Sequence, residues 1–428
     1  MIVEIVFIGL IFLLLALFGT PLFVIIGAIA LLSFHSVGID TSAVIVEMYR
    51  ISNTPALLAI PLFSFTGYIL AESKTPQRLV DLSQALFGWI PGGLAVVALV
   101  SCAIFTAFTG ASGITIIALG GLLFPAMLQN AYSEKFSLGL LTSCGNLGLL
   151  FPPSLPIILY ALVAKININT LFVAGFVPGV LLLILVSFYC FYKGVTLSVP
   201  RTRVTFRNLY KAIKAAIWEI PLPIIVIGGI YGGLFTVTEA AAVSAFYVLI
   251  VEVFIYRDIK LSSDVPRIMK ESMLLVGGIL VILGTALGLT NYLIDAEIPM
   301  KILQFLRSFV QTKLVFLIML NLFLLVVGCM LDIFSAIIVV VPLITPIALD
   351  FGVNPIHLGV IFLVNLGIGY TTPPVGMNLF IASFRFRKSI LSLYAASLPF
   401  LAILLVALII ITYIPEISLW LVNVVGIK

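Results

Sequence analysis

Charge is what this sequence lacks. Only 9% of its 428 residues are Asp, Glu, Lys or Arg, against about 25% in a soluble domain, and 62% are hydrophobic. One stretch of 52 residues, Leu82 to Ser133, carries no charge at all. The deficit excludes a soluble globular chain. Apolar stretches long enough to cross about 30 Å of hydrocarbon recur from end to end and leave no room for a soluble domain of ordinary size. Histidine is scarce too: His35 and His357 each stand near the end of a span and read as interfacial packing rather than metal ligands. The four cysteines, Cys102, Cys144, Cys190 and Cys329, lie in apolar segments without metal spacing and read as packing residues. No lysine follows a glycine, so there is no Walker A loop and no ATP motor in the chain. Neither H-E-x-x-H nor G-x-S-x-G occurs, which removes the commonest metalloprotease and serine-hydrolase signatures. An intramembrane enzyme would need an acid, base or nucleophile constellation, and the interior offers Asp332 without an obvious mate. The expectation is a non-enzymatic protein whose uphill work would draw on an ion gradient.

What is present is a net charge of +5 placed in short connections between spans. That distribution reads as topogenic, not as a nucleic-acid surface. The largest cluster, Lys193, Arg201, Arg203, Arg207, Lys211 and Lys214, contains no acidic residue and is assigned to the cytoplasm. Two spans (about 221–235 and 239–256) then return the chain to Arg257, Lys260, Arg267 and Lys270. One more span (272–294), a re-entrant hairpin and an interrupted span (357–384) bring it back at Arg385, Arg387 and Lys388. With Lys74, Arg78 and Lys135 also inside, 16 of the 22 Lys and Arg face the cytoplasm. Lys301, Arg307 and Lys313 fall outside, which residues 299–312 would explain as an amphipathic helix along the interface. The first helix, with Glu4 near its start and no A-x-A-like cleavage site, reads as a retained span. Around "FGTP" (18–21) it is either one long tilted helix or two short ones. The glycine spacings Gly228 to Gly232 and Gly284 to Gly288 read as helix-packing faces.

The chain also repeats itself. "NLGLLFPPSLPIILYA" (146–161) matches "NLGIGYTTPPVGMNLFIA" (365–382), each preceded by a long apolar segment with a polar break, "GASGIT" in one and "GCMLDIFSA" in the other. The reading is an all-α polytopic protein in one membrane domain, 1–428. Its first repeat is 54–192 with a hairpin at about 94–130, its basic connector 193–220, and its second repeat 221–414 with a hairpin at about 313–350. The topology count places the hairpins on opposite sides, so the repeats are inverted and each pairs a re-entrant hairpin with a Pro-broken helix, the architecture of secondary transporters.

Breaks at membrane depth need covering by protein or an aqueous cavity, because hydrocarbon pairs no backbone groups. In "TGASGIT" the glycines permit a turn, and Thr109, Ser112 and Thr115 set hydroxyl oxygens beside two half-helix ends. Half-helix N-termini favour an anion; carbonyls and hydroxyls favour a small hard cation such as Na+. The pairs Pro152-Pro153 and Pro373-Pro374 should break helices that start near Gly139 and Gly359, with Asn146, Asn365, Thr371 and Thr372 alongside. Simple proline kinks with packing hydroxyls are the plainer alternative. Asp332, the one acidic or basic residue between Lys313 and Asp350, is both a functional candidate and an N-cap candidate for Ser335. Thr236 and Glu239 have capping-box spacing and read as structural.

Together, "LLAIPLFSFTGYIL" (57–70), "TGASGIT", "GNLGLLFPPSLPIILYA", "GGLFTVTEAAAV" (232–243), "GCMLDIFSAIIVVVPLITPIA" (328–348) and "NLGIGYTTPPVGMNLF" resemble the large membrane subunit of tripartite ATP-independent periplasmic (TRAP) transporters. The resemblance implies Na+-coupled import of a small organic anion, a carboxylate or sulfonate, across a bacterial cytoplasmic (inner) membrane by an elevator-type movement. It implies two partners, a small four-helix membrane subunit on a separate chain and a periplasmic substrate-binding protein, beside membrane lipid and no nucleic acid. Carried over by motif, the sodium positions are Gly110, Ser112, Thr115, Asn146 and Gly148 in the first half. In the second they are Gly328, Asp332, Ser335, Asn365, Gly367, Thr371 and Thr372. Substrate contacts are expected at Thr109, Ser112, Asn146, Pro153, Thr372 and Asn378. The first tip has Ala111 and Gly113 where the family often has hydroxyl residues, so more coordination would fall to backbone carbonyls. A stand-alone divalent-anion/Na+ symporter and a passive channel are the competing readings.

Overall fold

The computed structural model describes residues 11, 12, 14, 15, 18–51, 53–197, 199 and 205–426, and among these every regular element is a helix. The reading of the first helix as a retained span concerns residues 1–10, outside the described ones. The "FGTP" segment is non-helical, with Gly19 at φ +80, so the described part favours two short helices. α1 (Leu22–Ser36) and α2 (Ser42–Ile51) lead to α3 (Ala59–Glu72), preceded by a 3-10 turn, and to α4 (Thr75–Phe87). Then come α5 (Gly93–Thr109) and α6 (Ser112–Gln129), α7 (Glu134–Cys144) with a 3-10 turn at Leu147–Leu150, α8 (Leu155–Val163) and α9 (Ile168–Thr196). α10 (Phe206–Ala215) lies in the basic connector, and α11 (Pro221–Tyr231) and α12 (Val237–Ile250, extended by a π turn at Val251–Ile255) follow it. The second half runs α13 (Asp264–Asp295), α14 (Ile298–Arg307), α15 (Lys313–Met330), α16 (Ile333–Asp350), α17 (Pro355–Gly369), α18 (Met377–Phe386), α19 (Ile390–Tyr413) and α20 (Glu416–Val425). Among the described residues eight helices are long and apolar enough to cross a membrane, and α7 with α8 forms a ninth, bent by 48° at its break.

From α3 to α9 and from α13 to α19 the two halves carry the same elements in the same order, and the packing shows how they are related. α6 packs on α18 and α16 on α8; α7 packs on α19 and α17 on α9. Each half thus covers the other's broken helix. The equivalent helices α3 and α13 run antiparallel, since Glu72 at the end of one is paired with Arg267 at the start of the other at 2.8 Å. Inverted repeats give this exchange.

Several local expectations are corrected. The broken helices begin at Glu134 and Pro355, several residues before Gly139 and Gly359, because Ser133 accepts from Phe136 N–H and Asn354 accepts from Ile356 and His357 N–H. Side-chain capping, not glycine, sets those starts. His357, in the first turn of α17, is packed inside the protein: it is 1% exposed, with Nδ1 3.1 Å from Ser418 Oγ and Nε2 3.2 Å from Thr412 O. Gly228 has nothing within 4 Å of a Cβ built on it, and Gly232 meets only Gly228 of its own helix and Leu234, so that spacing is no packing face. Gly288 is pressed against Val44 of α2 and does pack. The span from 272 is a longer helix that starts at Asp264. α14 is the amphipathic helix, and the basic residues around it have local partners. Lys301 Nζ donates to Ala296 O, Arg307 pairs with Asp350, and Lys313 Nζ donates to Gly352 O.

Thr236 and Glu239 form the expected reciprocal capping box at the start of α12. Arg78 is more than a topogenic charge. It is buried in the first turn of α4 among Glu219, Glu252 (3.0 Å) and Asp258 (2.7 Å), with its guanidinium 3.8 Å from the centre of the Tyr256 ring. Burial works against its charge, but the attraction of Glu219 and Glu252 and the bond to Asp258 prevail and raise its pKa. With three carboxylates around one guanidinium, burial still pushes Glu219 up, against the pull of Arg78 and Tyr256.

Candidate functional site

The first tip is the junction of α5 and α6. α5 ends at Thr109; Gly110 follows at φ +67 and Ala111 at φ −134, so the chain reverses in two residues. A side chain at Gly110 would meet Leu155 at 2.7–2.8 Å, which reserves the position for glycine on two grounds. Thr106 and Thr115 join the two helices behind the turn, hydroxyl to hydroxyl at 2.6 Å. Ser112, the first residue of α6, donates to Asn378 Oδ1 at 2.8 Å.

The first broken helix lies directly behind this tip. Its run of N-L-G-L-L tightens into a 3-10 turn, since the prolines at 152 and 153 cannot supply the amides that an α-helix would need. Asn146 Oδ1 accepts from Asn378 Nδ2 at 2.8 Å, and the same amide donates to Thr142 O at 3.3 Å. Gly148 is pressed against Ala103 O and Thr106, and a Cβ on Gly145 would stand 2.9 Å from Ser112 O. Four buried polar atoms around the tip and break have no protein partner: Thr109 Oγ1, Ser143 Oγ, Asn146 Nδ2 and Ser154 Oγ. Native interiors pair such atoms with protein, water or ligand, so the groups left for water or a ligand to satisfy gather here.

The second tip is built from the same parts with a different cap. Leu331 is extended between α15 and α16, and Asp332 accepts from both Phe334 and Ser335 N–H at 3.0 Å. Candidate site residue and N-cap are therefore one residue, with Oδ1 committed to the helix. Ile333 N–H donates to Tyr370 OH, and Gly376 N–H reaches back to Cys329 O at 3.0 Å. The second broken helix, with Pro373-Pro374 in its gap, is thus sewn to the second tip. Gly328 and Gly369 are backbone to backbone, a Cβ on Gly369 standing 2.6 Å from Gly328 Cα.

The two breaks meet at Gly367, where an added Cβ would be 3.6 Å from Asn146 Cβ. Of the expected substrate positions, Ser112, Asn146 and Asn378 form one hydrogen-bonded chain, with Thr109 beside it on the tip. Pro153 lies in the gap. Asn378, on α18 of the second half, completes the first half's site. Of the expected ion positions, Gly110, Ser112, Thr115, Asn146 and Gly148 converge at the first tip, and Gly328, Asp332 and Ser335 at the second, while Gly367 marks the crossing. Asn365 Nδ2 donates to Asn321 Oδ1 and Ile361 O, both at 2.8 Å, leaving Oδ1 buried and unpaired. Thr371 and Thr372 both donate to Ile368 O at 2.9 Å, so their oxygens remain free as acceptors. Sequence reasoning passed over Thr106, Ser143, Tyr370 and Asn321. Thr106 and Tyr370 adjoin quoted motifs and were findable; Asn321 is a lone amide in an apolar helix.

Residues 8–417 match the family described as tripartite ATP-independent periplasmic transporter, DctM component. The chain is 36% identical over 401 residues to the C4-dicarboxylate TRAP transporter large permease protein DctM of Pseudomonas aeruginosa, covering 94% of this chain and 93% of that one. It is 34% identical over 409 residues to the isethionate TRAP transporter permease protein DctMQ of Oleidesulfovibrio alaskensis, covering 94% of this chain and 64% of that one. With the ectoine TRAP transporter large permease protein TeaC of Halomonas elongata it shares 30% identity over 414 residues, 95% of this chain and 96% of the other. Among solved structures, the YdaH transporter of Alcanivorax borkumensis has a similar fold, with a TM-score of 0.62 at 15% identity over 90% of this chain and 88% of that one.

Proposed function

Because the chain belongs to the tripartite ATP-independent periplasmic transporter family as a large permease of the bacterial inner membrane, we propose that it imports a small organic anion in symport with Na+. Carboxylates and sulfonates are the substrate class, in keeping with the C4-dicarboxylate and isethionate relatives. A periplasmic binding protein delivers the anion and a separate small membrane subunit of four helices completes the permease.

The observation that carries the reading is the pair of interrupted tips, the first with buried polar atoms left over and the second capped by a carboxylate. At the first, Thr109 Oγ1, Ser143 Oγ and tip carbonyls supply hard oxygen ligands. At the second, Asp332 keeps one oxygen beyond its cap and supplies the charge. The N-terminus of α6 and the orphan Asn146 Nδ2 face the substrate anion with positive partial charge and a donor. α5–α6 and α15–α16 are re-entrant hairpins that move with the broken helices as one body against α3, α11, α12 and α13, an elevator.

The test is thermal stability of the purified protein in NaCl against KCl at equal ionic strength. Binding to the folded form alone raises stability by RT ln(1 + [L]/Kd). A Na+-selective rise that weakens in both Ser112→Ala and Asp332→Ala is the expected result. Identical curves in the two salts would count against sodium coupling, and uptake by the permease without either partner would favour a stand-alone symporter.

A further inference from the structure

We propose that Gly67 is the seat on the static part of the protein against which the first tip rests at the cytoplasmic end of its travel, so that residue size at 67 decides whether the inward-open state is reached. The proposal rests on the elevator reading above. α3 belongs to the static part by its packing along α12 and α13 and by the Glu72–Arg267 pair at its end. Its other side meets α5, and there the approach is backbone to backbone. A Cβ on Gly67 would stand 2.6 Å from Thr109 Cα and 2.8 Å from Phe108 O. Neither atom belongs to a side chain, so no rotamer change relieves the overlap.

Position along the helix gives the direction. Gly67 is about 18 Å from Pro55 and about 7.5 Å from Glu72 by helix rise, and Glu72 is on the side of the basic connections. The tip therefore stands in the cytoplasmic part of α3. The polar groups of this contact supply a second, independent observation. Ser64, one turn before Gly67 on the same face, is fully buried without a partner for its hydroxyl, and across the contact so is Thr109. Contacts within the static part are satisfied by comparison: Thr238 Oγ1 donates to Pro55 O at 3.1 Å. Ser64 Oγ is thus a buried hydroxyl on the static side with no protein partner where the tip lies against it.

The experiment places spin labels on Leu234→Cys in the static part and Leu349→Cys at the end of α16, two exposed positions, in the permease reconstituted with its small subunit. Distance distributions are recorded with NaCl and with KCl for Gly67, Gly67→Ala and Gly67→Val, with Gly228→Val as a control in open space. The parent should populate two distances. Gly67→Val should lose the inward one by tenfold or more, Gly67→Ala should lose part of it, and both should keep the Na+-dependent rise in thermal stability. Two distances unchanged by Gly67→Val would overturn the seat while leaving the elevator intact. A single invariant distance in the parent would overturn the elevator reading and the seat with it. Failure of both variants to fold would also overturn the seat, since a contact made in one state only is dispensable in the other.

Discussion

Replacing Asn378 with alanine removes a side chain that hydrogen-bonds both the first tip and the first broken helix. Asn378 is fully buried and makes three hydrogen bonds, to Ser112 and Asn146 at 2.8 Å and to Thr142 O at 3.3 Å. At the mean of about 0.6 kcal/mol measured for interhelical bonds in membranes, the three are worth about 2 kcal/mol. Orphaning the buried Asn146 oxygen adds about 1–3 kcal/mol, so the expected loss is about 3–5 kcal/mol. The variant should be unfolded in mixed dodecylmaltoside and SDS micelles, with tryptophan fluorescence as the signal, beside Ser112→Ala and the double variant. The Ser112 bond should appear as a coupling of about 0.6–1.5 kcal/mol between the two sites. Single effects that add to within about 0.3 kcal/mol would mean that the 2.8 Å contact holds nothing, and the site's central chain would have to be redrawn.

Arg78→Ala strands three carboxylates and should cost about 3–5 kcal/mol, with little recovery in Arg78→Lys because an ammonium lacks the guanidinium fork. The same unfolding assay decides it, and a loss under 1 kcal/mol would refute the cluster's structural role. Burial raises the Glu219 carboxyl, so the folded protein holds that proton more tightly than the unfolded chain. Stability should therefore fall as pH climbs from the ordinary carboxylate range through the raised value, and Glu219→Gln should flatten that slope. Gly148→Ala drives a methyl into Ala103 O and Thr106 and should cost about 1–3 kcal/mol. Gly228→Ala, in open helical surface, should gain about 0.5–1 kcal/mol. Equal effects at the two glycines would show that the close approach at 148 is immaterial.

The helical class and the places where helices stop were legible because they are written locally. Runs of apolar residues give the spans, and Gly110, the Pro-Pro pairs and Asp332 each act within a turn of where they stand. The hidden features are those that need distant residues. Arg78 looked like any topogenic charge because Glu219, Glu252 and Asp258 lie 141 to 180 positions away. Nothing in sequence announces that Asn321 of α15 will take the amide of Asn365 and leave its oxygen unpaired. Gly228 and Gly232 had the spacing of a packing face with no neighbour to pack against. The partners of Lys301, Arg307 and Lys313, two backbone carbonyls and one carboxylate, were equally invisible.

The start of α18 has a consequence for how ligands would communicate. Gly376 N–H holds Cys329 O of the second tip, Asn378 N–H holds Tyr370 O, and the Asn378 side chain holds Ser112 of the first tip. Three consecutive backbone positions therefore join two sites that belong to different halves. Whatever orders one tip changes the cost of ordering the other, and thermodynamic reciprocity requires the effect to be the same size in both directions. Cooperativity between the sites thus needs no long pathway, only the rigidity of one short helical end.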